Sequence, residues 1–273
     1  MKTLKYISIA LGLVLATGCI KETFPQGSTQ TSAQVAQSSS ALAAMVNAIP
    51  SSMTTTDFLG YLSGYGDHTD FGYPGIAFRT ENMLEDLVTS GENPYYNRAL
   101  AYAQNQAQGH TYIYCAYFWD YYYTLIRLAN DVIASMKPAV EEGDSADEET
   151  KELAHILGQA YAYRAWFYLD LARLFEAKLN IYTDVRGVLH LTVPIVDENT
   201  TIDQTKNNPR VVREEMYKFI FSDLEKAEKY LDQTKKSFTA PTIMAIYGLY
   251  ARAYLELGAT YRENKGVNPY ADI

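Results

Sequence analysis

Between about residues 110 and 262 the sequence writes one helix pair twice. Residues 151–175 align with 241–262 at a constant offset of 86. Tyr161 falls on Tyr247, Ala165 on Ala251, Tyr168 and Leu169 on Tyr254 and Leu255, and Leu171 on Leu257, while Asp170 meets Glu256 in charge. The stretches before them align at an offset of 98, pairing Tyr123 with Phe221, Ile126 with Leu224, Ala129 with Ala227 and Ile133 with Leu231. Apolar residues recur at three- and four-residue steps, which gathers them on one face of an α-helix. Phe118, Tyr122, Leu125, Ile126, Ala129, Val132 and Ile133 share such a face; so do Val212, Met216, Phe219, Ile220, Leu224, Ala227, Tyr230 and Leu231. A repeated unit of this size cannot bury its apolar face alone and folds by stacking on its neighbour. The expectation is an all-α chain in which small Ala and large aromatic positions interlock.

The spacing predicts helices from after Gly109 to Pro138, over about 151–175, from near Pro209 to Leu231 and over about 241–262. The acidic stretch from Glu141 to Glu149 lacks the alternating ligands and central Gly of a calcium loop. We read it as a solvated linker whose Asp147 to Glu149 favour the N-terminus of the next helix. Residues 176–208 form a long irregular connection with an apolar knot at Val193, Pro194, Ile195 and Val196. A helix-permissive run from Ser32 stops at Ile49, before Pro50. Residues 51–109 are rich in Gly, Asp, Ser, Thr and aromatics, which predicts long loops with short helices, one at the apolar patch Asn82 to Val88.

Residues 1–18 have the form of an export signal: Lys2 and Lys5, a short apolar run from Ile7 to Leu15, then Ala16, Thr17 and Gly18 before Cys19. The run is shorter than the roughly 20 residues a spanning helix needs. Small residues directly before Cys19 resemble the lipobox of bacterial lipoproteins, with Ala16 where Leu is usual; the resemblance implies acylation of Cys19. Residues 19–31 then read as a flexible tether. With Cys19 acylated, Cys115 is the one thiol left, and the core must hold the fold without an intrachain disulfide. Removing residues 1–18 leaves 21 basic against 32 acidic residues, net −11, which excludes nucleic-acid binding.

The histidines, His68, His110, His155 and His190, are too scattered for a linear metal motif, and no cofactor motif occurs. No nucleophile elbow or HExxH motif is present and no carboxylate pair stands out, so we expect a non-enzyme. The chain carries 24 Tyr against 10 Phe and 2 Trp. That excess of amphipathic rings suits packed grooves or a ligand platform. Tyr61, Tyr65, Asp67, His68, Asp70, Phe71 and Tyr73 lie together on a Gly-rich loop, extended by Arg79, Tyr95, Tyr96 and Asn97. Rings of this kind stack on pyranose faces while the polar groups read hydroxyls; equally, they cap a helical core. We read the Asp67, His68 and Asp70 trio as a turn with Asx hydrogen bonds before a cation or sugar site. Tyr161, Tyr168, Tyr247 and Tyr254 sit at repeat-packing spacing, and Trp119 and Trp166 are expected in the core.

Two resemblances follow. The paired helices, with Leu157, Gly158 and Tyr161 matching part of the consensus, look like a tetratricopeptide array. The ordered set as a whole resembles the SusD/RagB lipoproteins of Bacteroidetes: the lipobox, the helix from Thr31 to Pro50, Trp119 to Ile133, Gly158 to Leu169 with Arg164, Val193 to Val196, and Arg210 to Ala227. The resemblance implies a SusD-like helical domain over 32–273, anchored by lipid at the outer membrane. It implies capture of oligosaccharides or polysaccharides and their delivery to a SusC-like TonB-dependent transporter, without bond breaking. Peptide capture, as in RagB-type members, and an envelope scaffold with no small ligand stay open beside it. It also implies a chain continuing in further helix pairs, so that residue 273 reads as the end of a fragment.

Overall fold

The computed structural model describes residues 39–55, 70–82, 113–179 and 184–263. It contains seven helices among the described residues: α1 Ser39–Met53, α2 Tyr73–Glu81, α3 Ile113–Glu142, α4 Glu148–Phe175, α5 Ile202–Thr205, α6 Arg213–Tyr230 and α7 Ile243–Glu263. No strand is present among these residues; the one extended pairing is a bridge between Leu191 and Val212. The all-α, tetratricopeptide-like reading holds.

α4 is the centre. It packs against α3 on one side and α6 on the other, and eighteen of its residues, from Leu153 to Ala172, are buried. Asp147, in the acidic linker expected to favour this helix start by its charge, goes further and caps it, accepting from the Thr150 amide at 3.0 Å. Close approach of α4 and α6 depends on Gly158. A Cβ there would stand 2.8 Å from the Leu231 nitrogen and 3.2 Å from the Ala227 oxygen. The apolar knot is seated by side chains of both pairing helices. Tyr123 donates to the Pro194 carbonyl at 2.6 Å, Asn130 to the Val196 carbonyl at 3.0 Å, and Tyr168 both donates to and accepts from Val196.

Three expectations change. α1 runs past Pro50 to Met53, and α3 past Pro138 to Glu142. Each proline removes one i→i−4 bond, to the Val46 and Ala134 carbonyls, and so few residues follow it that little helix depends on the break. Tyr73 begins a helix, α2, rather than lying on a loop, and Gly72 precedes it at φ 72°. A Cβ at Gly72 would collide with the Met53 carbonyl oxygen, so the turn into α2 excludes every other residue. Tyr247 and Tyr254 are 48% and 56% exposed, although their partners Tyr161 and Tyr168 are buried. α6 lays Tyr230 and Phe219 against Tyr161 and Tyr168 of α4, whereas it meets α7 along its edge: Phe221 touches Tyr254 at 4.8 Å and Glu228 accepts from Tyr247 at 3.3 Å, and about half of each tyrosine stays exposed.

The α4–α6 contact carries a pH-sensitive group. His155 Nδ1 accepts from the Asp232 amide at 3.1 Å, so the neutral ring carries its proton on Nε2. Burial, reinforced by Lys235, holds the His155 pKa below its usual 6.5. The unfolded chain therefore takes up the proton first, so this stability is complete above about pH 6.5 and is lost as pH falls below it. The urea midpoint is expected to drop between about pH 7 and 5.5, and less so in His155→Asn. Equal slopes in both proteins would assign the pH dependence elsewhere.

Candidate functional site

Four helices converge on one carboxylate. α4 presents Asp170 one turn beyond Trp166; α2 brings Tyr73, α3 brings Tyr122 and α7 brings Arg252. Asp170 Oδ2 accepts from the Tyr73 hydroxyl at 2.9 Å and the Tyr122 hydroxyl at 3.3 Å, while Oδ1 takes Arg252 Nη2 at 2.6 Å. The Trp166 indole N–H donates to the Tyr73 oxygen at 3.1 Å, extending the chain by one member. Burial, then Asp170, pushes Tyr73 up to about pKa 12, so it stays a neutral donor.

Around this node the rings are ordered. Trp166 lies nearly parallel to Tyr163, at 6.4 Å and 10°, and to Phe167, at 6.2 Å and 26°, and meets Tyr73 edge-on at 5.3 Å. Tyr163 donates to the Thr239 carbonyl at 3.2 Å and so fixes the turn that holds Phe238 fully exposed.

Two clefts open from the node and share Arg252. The first, about 750 Å³, runs between the C-terminus of α1 and the start of α7, floored by Tyr163 and Trp166 and rimmed by Phe238 and Pro241. Gly248 on its α7 wall has nothing within 4 Å of where a Cβ would sit, which leaves open space at that wall. The second, about 380 Å³, is polar and lies between α2, α4 and α7, with Tyr73, Thr80, Arg173, Lys178 and Glu256 at its walls. Glu256 binds Arg173 at 2.6 Å and Lys178 at 3.2 Å. Burial works to raise its pKa, but the two cations outweigh it and hold the carboxylate ionised. A carboxylate held in this way serves to bind rather than to donate a proton. The chemistry on offer is an aromatic face with planar charged groups beside it, which suits a polyhydroxylated ligand. No group of three metal-binding side chains occurs among the described residues.

The sequence-predicted residues divide. Tyr61, Tyr65, Asp67, His68, Tyr95, Tyr96 and Asn97 lie outside the described residues. Asp70 and Arg79 are 2% and 1% exposed, turned into the protein. Asp70 accepts from the Tyr117 hydroxyl at 2.8 Å and, as an Asx turn would, from the Gly72 amide at 3.5 Å. They anchor α2, whereas a hydroxyl-reading role needs an open face. Phe71 is half-buried, and Tyr73 reaches the node. Trp166, Arg252, Phe238 and Glu256 went unselected. At the offset of 86 Trp166 falls on Arg252 and Asp170 on Glu256, positions where the repeat changes chemistry or keeps a charge; Phe238 carries no such signal.

The fold and part of the sequence have known counterparts. The chain superposes on a SusD-like carbohydrate binding protein from Bacteroides vulgatus with TM-score 0.59 and 19% identity, covering 80% of this chain and 41% of that one. A SusD superfamily protein from Bacteroides thetaiotaomicron gives 0.55 and 22%, covering 81% and 43%. Surface glycan-binding protein A from Bacteroides fluxus gives 0.53 and 15%, covering 83% and 42%. The chain thus spans less than half the length of these structures. Among curated proteins, none matches the chain. A SusD-like family model, described as "Starch-binding associating with outer membrane", matches residues 50–255, well over half of the sequence. The chain belongs to the SusD-like family.

Proposed function

We propose that the chain captures oligosaccharides at the outer membrane, tethered by lipid on Cys19, and passes them to a SusC-like TonB-dependent transporter. Family membership supports the glycan and the membrane, and one observation carries the site: Trp166 lines an open cleft while its N–H chain fixes Arg252 beside it. Capture proceeds by stacking and hydrogen bonding, with no bond broken. No helix among the described residues is long and apolar enough to cross a membrane.

Calorimetry of the chain from residue 20 onward, against neutral hexasaccharides of α-glucan, β-glucan, xylan and mannan, tests this reading. At least one should bind saturably. Trp166→Ala should weaken it at least tenfold, since losing one ring face removes about 1.4 kcal/mol or more. Phe238→Ala, at a fully exposed position, tests the rim without touching the core. Binding of peptides alone, or glycan binding indifferent to both substitutions, would sink this site.

A further inference from the structure

We infer that a separate cleft, between α3 and the 194–208 segment, is a second site for neutral glycans with Trp119 as its stacking face. It measures about 570 Å³ and shares no lining residue with the two clefts around Arg252. Two rings hold the indole in place: Tyr123 at 5.0 Å and 39°, and Phe175 edge-on at 5.2 Å and 90°. The Tyr123 hydroxyl is committed to Pro194, but the Trp119 N–H makes no hydrogen bond among the described residues. The facing wall is the single turn α5, closed by a capping box between Thr201 and Gln204. That rigid turn holds Ile202 at the cleft with 81% of its surface exposed.

The charges of the cleft decide the ligand class. Arg127 pairs with Asp131 at 3.5 Å, both on the exposed rim. Glu198 is held by Arg164 at 2.7 Å and Lys137 at 3.5 Å, and Asp197 by Thr200 and the Asn199 amide. A charged ligand finds its counter-charges already engaged. A neutral polyol finds an aromatic face, a free indole donor, and the Asn208 Oδ1 acceptor, whose amide nitrogen is spent on Ile195 at 2.6 Å. The rim pair supplies both a donor and an acceptor.

The chain contains 2 Trp residues, so each site can be given its own reporter. Trp166→Phe leaves Trp119 as the sole tryptophan, excited selectively beyond the tyrosine band; Trp119→Phe leaves Trp166. Titrating the first with the same four neutral hexasaccharides should shift its emission saturably for at least one. Arg127→Ala, Asp131→Ala and Ile202→Asp, all at exposed positions, should each raise that dissociation constant about tenfold. Silence of Trp119 toward all four, a response indifferent to the rim substitutions, or an equal response to anionic oligosaccharides or peptides overturns the inference. A responding Trp166 beside a silent Trp119 removes this site alone; the converse removes the Arg252 site and leaves this one.

Discussion

Arg164→Met should cost about 3–5 kcal/mol, the range for removing one partner of a buried ion pair. Arg164 is 1% exposed and spends its whole guanidinium inside the fold. Its Nε and Nη2 bind the two oxygens of Asp223 at 2.7 and 2.9 Å, while Nη1 reaches Asn130 at 2.8 Å and Glu198 at 2.7 Å. The same plane lies over the rings of Tyr161 and Phe219, at 5.3 and 5.0 Å. Burial opposes its charge, but Asp223 and Glu198 outweigh that and hold it protonated. One side chain thereby joins α3, α4, α6 and the 194–198 segment. Methionine fills similar volume yet leaves two carboxylates together, Asp223 with no exposed surface.

Asp223→Leu alone should cost less, because Glu198 and Asn130 still satisfy part of the guanidinium. The double variant should recover most of the loss: it removes both buried charges, and Glu198 keeps Lys137 at 3.5 Å. Against a total stability of about 5–15 kcal/mol, the single loss is large enough to read as a shifted urea midpoint. A double variant as unstable as the sum of the singles would show that the pair is not what holds these elements.

How much of this was legible in the sequence depends on what each residue meets. Ala129, Ala165 and Ala227 were placed by periodicity, and all are buried, because period alone names the inward face of a helix. Tyr247, Tyr254 and Leu255 carry the same periodicity and lie exposed. Period says which face is apolar and nothing about what covers it. Asp170 was visible only as a charge repeated at Glu256; that Tyr73, ninety-seven residues earlier, would bind it lay beyond any local pattern. Asp70 and Arg79 were chosen for residue type and turned inward, since a Gly-rich polar segment does not declare whether its polar groups face water or Tyr117. Trp166 was assigned to the core, and half of that is right: its ring packs on Phe167 while it also lines the open cleft.

Asp170→Ala should cost about 2–4 kcal/mol and release α2 before the rest of the fold. The substitution orphans the hydroxyls of Tyr73 and Tyr122 together, and burial has pushed both away from ionisation, so neither escapes by losing its proton. A buried hydroxyl left without a partner costs about 1–3 kcal/mol. Arg252 is about a third exposed and can turn to water, so its share is small. The α2 segment is also tied to α3 by Tyr117 on Asp70 and by the Tyr121 hydroxyl, which meets the Tyr73 backbone and donates to the Met53 carbonyl of α1. Losing the Tyr73 contact therefore weakens one element selectively. Hydrogen exchange should show the amides of α2 opening early while those of α4 keep the protection of the global transition. Asp170→Asn keeps the shape and one acceptor for Arg252, and should lose roughly half as much. Both variants should weaken glycan capture at the Trp166 cleft, because Arg252 loses the carboxylate that holds it there. If α2 and α4 lost protection together in Asp170→Ala, the node would be part of the global core rather than the latch of one helix.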